Sequence, residues 1–179
     1  MSDIHTPEQR HRNMAAIHSV STKPEIKLRH ELWRQGFRFR VNDKRLPGKP
    51  DIVFPKYHCV VFVHGCFWHG HVGCKYYSIP MTNTDFWIAK VDRNRERDQE
   101  VWRQLEAKGW FVIIVWECQL KKTVFDDTVK MVAAEIVKNG AKYLSFQAER
   151  RLSRKEYRVE RRTKQERSAI LMQEIKEIL

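Results

Sequence analysis

Three cysteines and a histidine have the spacing of a metal site. Cys66, His71 and Cys74 form a C-x4-H-x2-C pattern in one glycine-containing stretch, and Cys118 follows a later apolar run. Thiolates and imidazoles are the usual ligands of structural zinc, which takes four of them in a closed tetrahedral set. The pattern predicts a Cys3His zinc site, and a group of buried free thiols is the alternative.

The identity of the zinc histidine stays open at this level. His64 and His69 lie in the same stretch as His71, and spacing alone does not choose among them. Cys59 lies inside an apolar run, where a thiol packs as a small hydrophobic group. We therefore expect Cys59 to lie outside the metal site.

A second set of residues has the chemistry of phosphodiester hydrolysis. Asp51 follows Pro50 and begins an apolar run, so its carboxylate is expected at the start of a strand, where it can bind a hard cation. A magnesium ion at such an acid polarises a phosphoryl oxygen and lowers the pKa of an attacking water. The alternative is that Asp51 only accepts hydrogen bonds from nearby backbone.

The acids and imidazoles that would complete a hydrolytic site are spread along the chain. They are Glu25, His64, His69 and Asp98. A neutral histidine has the pKa that suits a general base near pH 7. Each residue alone is also consistent with a structural role, and a single histidine at a strand end, such as His64, is more often structural.

Large aromatic side chains lie in and after the predicted metal loop. Phe67 and Trp68 follow Cys66, and Phe86 and Trp87 begin a long helical pattern. Aromatic side chains in loops can stack on bases or enter between base steps, at a cost of about a few kcal/mol per unstacked step. Packing into the hydrophobic core is the alternative for these rings.

The net charge indicates a polyanionic partner. The 179 residues hold 34 Lys and Arg against 22 Asp and Glu, which gives a formal charge of +12, and 42% hydrophobic residues are too many for a disordered chain. No apolar run approaches the ~18 residues of a membrane span, and the first residues carry no apolar signal core. We expect a cytoplasmic protein that binds nucleic acid and no membrane.

The elements that must position these residues follow from periodicity and capping. The sequence predicts helices over residues 6–17, 22–36, 84–108 and 126–138, with Asn83 or Thr84 capping the third and Asn139-Gly140 ending the fourth. It predicts strands over residues 37–41, 51–54, 59–63 and 110–116, the second and third forming a hairpin. The expected fold class is α/β, with a small central mixed sheet flanked by helices and a zinc-bearing loop.

The C-terminal segment differs in composition from the rest. Residues 148–179 hold ten Lys and Arg and six Asp and Glu, without glycine or proline. We predict a domain over residues 1–146, with an N-terminal arm of about residues 1–20, followed by a basic helical extension over residues 147–179.

Several motifs taken together resemble the very-short-patch repair endonucleases. They are Pro50-Asp51, the run Val63-His64-Gly65-Cys66-Phe67-Trp68-His69, Thr84-Asp85-Phe86-Trp87, Asn94-Arg95-Glu96-Arg97-Asp98 and Val115-Trp116-Glu117-Cys118. The resemblance covers about residues 5–120, in order and with near-constant spacing. It implies a restriction-endonuclease-like PD-(D/E)xK fold and a magnesium-dependent nick 5′ of the thymine in a T·G mismatch, which deamination of 5-methylcytosine leaves.

The resemblance also implies roles for individual residues in the catalytic centre. Asp51 and the backbone carbonyl of Val63 would bind magnesium, and His69 would be the general base. Glu25, His64 and Asp98 would act through metal-bound waters. Position 63 is often a hydroxyl residue in the family, which is compatible with valine if only the carbonyl binds the metal.

Further roles concern zinc and DNA. By resemblance, Cys66, His71, Cys74 and Cys118 would hold the zinc, although the loop has one residue more before Cys74 than the usual family form. Five residues would contact DNA: Phe67, Trp68 and Trp87 inside the opened duplex from the major groove, Met14 from the other side, and Asn94.

Two other functions compete with mismatch repair. One is a restriction or defence nuclease of the same fold with another DNA substrate, and the other is a zinc-stabilised DNA-binding protein without catalysis. The acid and imidazole set argues against a pure binder. We expect a monomer in the bacterial cytoplasm, associated with the nucleoid, with double-stranded DNA carrying a T·G mismatch as substrate and mismatch-repair proteins as candidate partners.

Overall fold

The computed structural model describes residues 6, 8, 9, 12 and 20–178, with side chains described up to residue 166. Met14 and most of the helix predicted over residues 6–17 therefore lie outside the described residues. Thr6 and Gln9 exchange two hydrogen bonds, of 3.0 and 3.2 Å, between side chain and backbone N–H. This reciprocal pair is a capping box, which agrees with the predicted helix start at Thr6.

Three helices and four strands make up the fold from residue 20 onward, and the described residues 8, 9 and 12 are also helical. The helices are α1 (Lys23–Arg34), α2 (Thr84–Ala107) and α3 (Phe125–Ile178), and the strands are β1 (Arg40–Val41), β2 (Ile52–Phe54), β3 (Cys59–His64) and β4 (Phe111–Trp116). Short 3-10 turns follow β2 at Pro55–Tyr57 and β4 at Glu117–Leu120. The sheet order is β1-β2-β3-β4. The predicted small mixed sheet with flanking helices is confirmed.

The sheet combines antiparallel and parallel pairing. The strand pairs β1–β2 and β2–β3 are antiparallel, so the predicted hairpin forms, whereas β3 and β4 are parallel and in register from Cys59 opposite Phe111 to His64 opposite Trp116. The C-terminal ends of β3 and β4 therefore meet at one edge. Residues that follow these two strands, such as Cys66 and Cys118, are brought together by this pairing.

Both faces of the sheet are covered. Side chains alternate between faces along a strand, so Cys59 and Val61 join the core beneath α1 and the first turns of α3, whereas Val60 and Phe62 join the core beneath α2. Burial on both faces explains why β3 is a continuous apolar run in the sequence. Cys59 is fully buried in the first core, as predicted from its apolar surroundings.

The strand predicted over residues 37–41 is wrong for its first three residues. Gly36, after the end of α1, has φ +92°. The Phe37 N–H donates to the Leu32 carbonyl at 3.1 Å, so Phe37 belongs to the C-terminal end of the helix and does not pair in the sheet. Phe37 and Phe39 instead pack against Phe54, with ring centroids 5.8 and 5.6 Å away. The alternation therefore reflects aromatic packing.

The helix end predicted at Asn139-Gly140 is also wrong, because α3 continues to Ile178. A Cβ built at Gly140 would collide with the ring of Tyr57. Gly140 is therefore small because the helix approaches Tyr57 closely, and it does not end the helix. Contacts divide the chain into one unit of residues 1–140 and a second of residues 141–179.

The predicted side-chain cap of α2 is not found. Asn83 has φ +53° and makes no capping bond through its side chain, while the Thr84 hydroxyl donates to the carbonyls of Pro80 and Met81, both at 3.1 Å. The hydroxyl therefore braces the turn that leads into the helix. Among the described residues, no helix is both long and apolar enough to cross a membrane.

Candidate active site and metal centre

The parallel pairing of β3 and β4 assembles one cluster of cysteine and histidine. The ligand atoms of Cys66, His71, Cys74 and Cys118 all lie within 4.8 Å of one another, and Cys118 Sγ is 3.5 Å from His71 Nδ1. Four ligands on a tetrahedral zinc at about 2.3 Å from sulfur are separated by about 3.8 Å. The donor set and its spacing therefore fit a closed four-ligand site of the kind that holds zinc.

Packing holds the His71 ring in place. The ring stacks on Trp116, with centroids 4.1 Å apart and planes at 3°. Burial raises the pKa of the Cys66 thiol to about 12, so a bound cation is needed to keep this sulfur as a thiolate near neutral pH. His64 and His69 lie in a different cluster with Asp98, so tertiary structure selects His71 as the histidine among the three thiols.

Asp51 lies where β2 begins, beside the end of β3. Its Oδ2 accepts a hydrogen bond of 2.7 Å from the Val63 N–H. Burial raises the pKa of Asp51 to about 6, nearby Glu25 adds to the rise, and the Val63 N–H, Arg29 and His69 oppose it. A divalent cation would supply the positive charge that this buried carboxylate lacks.

A buried ion pair joins the first helix to Asp51. Glu25 is 3% exposed and accepts hydrogen bonds from the N–H groups of Ser21 and Thr22, and from Arg29 at 2.7 Å. The same guanidinium nitrogen of Arg29 donates to the Asp51 carbonyl at 3.0 Å. Glu25 is therefore fixed at the N-terminus of α1, and Arg29 connects it to the strand that carries Asp51.

Sequence reasoning missed Arg29 because an arginine on a helix is usually solvated. The available signal was its position four residues after Glu25, which places both side chains on one helix face.

His64, His69 and Asp98 form a compact polar group. The two imidazole rings stack with centroids 3.7 Å apart, and His69 Nδ1 lies 2.5 Å from Asp98 Oδ2. Although burial acts in the opposite direction, hydrogen bonding and charge from His69 lower the pKa of Asp98. With its proton on Nδ1, His69 presents Nε2 as a free acceptor.

His64 is buried between aromatic rings. It is 4% exposed, with Trp102 and Trp116 centroids 5.9 and 5.5 Å away, and burial lowers its pKa to about 3. Among the described protein groups its Nδ1 has no hydrogen-bond partner. Buried polar atoms of this kind are usually satisfied by water or a ligand. The Nδ1 atom of His64 could therefore accept a hydrogen bond from a water molecule in the site.

The aromatic side chains next to this group meet in one cluster. The Phe67 ring centroid lies 5.1 Å from Trp68 and 5.3 Å from Trp87, and those two tryptophans are 6.1 Å apart. All three rings are half-buried. They therefore pack against one another and still present surface to a ligand.

Two side chains of α2 hold the loop that carries these rings. Asn94 is 9% exposed and donates to the Trp68 carbonyl at 2.8 Å, while Arg95 donates to the Gly70 carbonyl. Gly70 has φ +61° and separates His69 from His71. Sequence reasoning assigned Asn94 to DNA contact and gave Arg95 no role, whereas both support the loop here.

Comparison with known proteins gives one consistent result. Residues 2–75 match the model of the family described as DNA mismatch endonuclease Vsr. A type II nicking enzyme of Neisseria meningitidis is 50% identical over 137 residues, which are 76% of this chain and 97% of that protein. The DNA mismatch endonuclease Vsr of Escherichia coli is 46% identical over 121 residues, covering 68% of this chain and 77% of that protein. A type II nicking enzyme of Xanthomonas oryzae pv. oryzae is 48% identical over 120 residues, 67% of this chain and 88% of that protein.

Proposed function

Because the chain belongs to the DNA mismatch endonuclease Vsr family and is a DNA endonuclease, we propose that it nicks one strand 5′ of the thymine in T·G mismatches. Such mismatches arise when 5-methylcytosine is deaminated, so the proposed role is very short patch repair. The observation that carries the catalytic part is the electrostatic interaction of Asp51, at the start of β2, with His69, which is itself paired with Asp98. It combines a metal-binding acid with an oriented base.

His69 is the proposed general base. Asp98 holds Nδ1, so Nε2 is free to take the proton of the attacking water while the imidazolium that forms is stabilised by the carboxylate. His64, Glu25 and Asp98 are proposed to orient water in the site. The unpartnered Nδ1 of buried His64, counted among the described groups, supports this role.

Asp51 and the Val63 carbonyl are the proposed magnesium ligands. The raised pKa of Asp51 supports the assignment, since a buried acid without enough nearby positive charge gains most from a cation. When bound, magnesium supplies Lewis-acid stabilisation of the phosphate charge. Arg29 and the Val63 N–H hold Asp51 in position.

Zinc is the proposed metal of the Cys66, His71, Cys74 and Cys118 cluster, with a structural role. The closed set of four ligands leaves no open coordination position for chemistry. Cys66 precedes Phe67, Trp68 and His69 in the loop, and His71 follows them. A metal bound at the cluster would therefore fix both the aromatic rings and the general base. Phe67, Trp68 and Trp87 are the rings proposed to enter the duplex, with Met14 and Asn94 as further DNA contacts.

A nicking assay tests this proposal. The purified protein, with magnesium, is incubated with labelled duplexes that carry T·G, U·G or paired C·G in several flanking sequences. We expect a single nick 5′ of the mismatched thymine and little cleavage of paired DNA. Equal cleavage of the paired duplex would favour a restriction or defence nuclease, and binding without cleavage would favour a non-catalytic protein.

A matched pair of variants tests Asp51 within that assay. Asp51→Asn removes the charge with little change in shape and should abolish nicking while DNA binding persists. Asp127→Asn is the control, because that carboxylate is 86% exposed at the start of α3. Near wild-type nicking by Asp51→Asn would contradict the magnesium assignment.

A further inference from the structure

Basic side chains are concentrated on one side of the helix in the second unit, residues 141–179. Nine basic side chains lie in its described part, and six of them, all exposed, lie on one side of the helix: Arg151, Arg154, Lys155, Arg158, Arg161 and Arg162. At 100° per residue they fall within an arc of about 120° on one side of α3. Arg150 lies about 20° beyond one edge of this arc, and Lys142 and Lys164 lie on other sides of the helix.

The opposite side of the same helix carries three carboxylates, together with Lys142 and Lys164. Glu149, Glu156 and Glu160 fall within about 40° of one another, centred roughly 180° from the basic arc. A helix that lies on a membrane carries a continuous apolar face opposite its cations. Carboxylates occupy that position here, so the distribution favours a polyanion that touches only one side of the helix.

We propose that this basic stripe is a second DNA-binding surface, which contacts the phosphate backbone of a duplex without regard to sequence. From residue 151 to residue 162 the stripe is about 17 Å long. Duplex DNA carries one charge per about 1.7 Å of axis, so about ten phosphates lie along that length. Five of the six side chains are arginines, whose guanidinium groups can bind a phosphate with two parallel hydrogen bonds.

The ion pair within the stripe does not prevent this contact. Arg162 lies 3.6 Å from Glu166, and the two side chains are 83% and 65% exposed. Exposed pairs of this kind are weak. A phosphate can therefore replace Glu166 as the partner of Arg162.

The proposal rests on the chain being a DNA endonuclease and adds a function for a segment that the catalytic site does not use. The stripe and the catalytic site belong to one chain. Once either has bound DNA, the effective concentration of the other near that DNA is high, which raises the overall affinity. The stripe would increase the time spent on any duplex, and mismatch choice would remain with the first unit.

Two double variants of the full-length protein with equal loss of charge test the stripe. Arg154→Gln/Arg158→Gln removes two charges from it, and Lys142→Gln/Lys164→Gln removes two from outside the arc. Fluorescence anisotropy measures binding to paired and T·G duplexes at several salt concentrations. We expect the first variant to lower the slope of log K against log salt by about 2 and affinity about tenfold or more at 0.15 M salt, on both duplexes, with kcat at saturating DNA unchanged.

Each other result overturns the proposal. Unchanged binding, or an equal loss in both variants, would show that the stripe does not contact DNA. A loss confined to T·G duplexes would place these arginines in mismatch recognition, and sedimentation showing that the first variant dissociates an oligomer would make the stripe a protein interface. Absence of nicking by the wild-type protein would refute the proposed function and leave the binding result standing.

Discussion

The carboxylate of Asp98 lies 2.5 Å from Nδ1 of His69, and the ring of His69 stacks on His64 at 3.7 Å. Two constraints, one polar and one aromatic, therefore fix a single imidazole. Its second nitrogen, Nε2, is left to act as an acceptor.

Replacing Asp98 should impair catalysis much more than binding. In Asp98→Asn the amide can accept from His69 but does not stabilise an imidazolium, so we expect kcat to fall by about 10²–10⁴-fold. DNA affinity should change little. Glu100→Gln is the control, since Glu100 lies on the same helix and its side chain is 53% exposed. Nicking by Asp98→Asn within threefold of wild type would contradict the pairing of Asp98 with the base.

His64 should make the fold sensitive to mild acid. Burial lowers its pKa to about 3 from an ordinary value of 6.5, so the folded state holds the neutral ring while the unfolded chain takes up a proton as the pH falls through 6.5. Stability attributable to His64 is present above that pH and is lost below it. Between about pH 7.5 and 5.5 the loss amounts to about 1.4 kcal/mol.

The measurement compares chemical unfolding of wild type and His64→Gln at both pH values. Asp51 acts in the opposite direction, because its pKa is raised to about 6 and the folded state gains a proton in this window. The same contribution is present in both proteins and cancels in the difference. The variant should lose about 1.4 kcal/mol less stability than wild type, and an identical pH dependence would show that His64 is solvated.

Gly70 should tolerate alanine much less well than Gly73. Both have positive φ, +61° and +74°, so each alanine carries a backbone cost of about 1–2 kcal/mol. At Gly70 the new Cβ would also lie 2.5 Å from the Arg95 guanidinium, whereas nothing lies within 4 Å of the one at Gly73. We expect Gly70→Ala to reduce nicking, because the Arg95 guanidinium must move away and give up its hydrogen bond to the Gly70 carbonyl, and Gly73→Ala to keep most activity. Equal activities would contradict the role of Arg95 in supporting the loop.

Thiol reactivity should separate Cys59 from the other three cysteines. Cys59 is fully buried in β3, and burial raises its pKa to about 12, so it should not react in the folded protein. With zinc bound, we expect no rapid alkylation. A strong chelator should expose Cys66, Cys74 and Cys118, and denaturant should add the fourth thiol, each count being read by mass spectrometry. Rapid alkylation of all three before chelation would argue against a bound metal.

Alanine at Gly140 should destabilise the protein although it favours helix formation. The intrinsic gain of about 1 kcal/mol is opposed by the collision of the new Cβ with Tyr57. In a Tyr57→Ala background the collision disappears, so Gly140→Ala should then be stabilising. Thermal unfolding of the two single variants and the double variant measures this coupling, and additive effects would show that the contact is not formed.

The sequence alone determined most of the architecture, and it supplied the candidate metal ligands and hydrolytic residues. Continuous apolar runs at residues 59–63 and 110–116 predicted the central strands, because strands buried on both faces need apolar residues at every position. Spacing also named Cys66, Cys74 and Cys118 as metal ligands and left the histidine open among His64, His69 and His71. The helix end predicted at Gly140 was wrong, because the sequence does not distinguish a glycine required by contact with the distant Tyr57 ring from a glycine required by a turn.

Tertiary structure decided which of these residues meet. The parallel register of β3 and β4 brings Cys118 close to the loop after β3. Within that loop His71 lies beside the thiols, whereas His69 lies beside Asp98. Neighbouring histidines look alike in sequence because their partners lie on other elements, one after β4 and the other on α2. Spacing along the chain therefore supplies the candidate ligands, whereas the pairing of distant segments assigns each to its site.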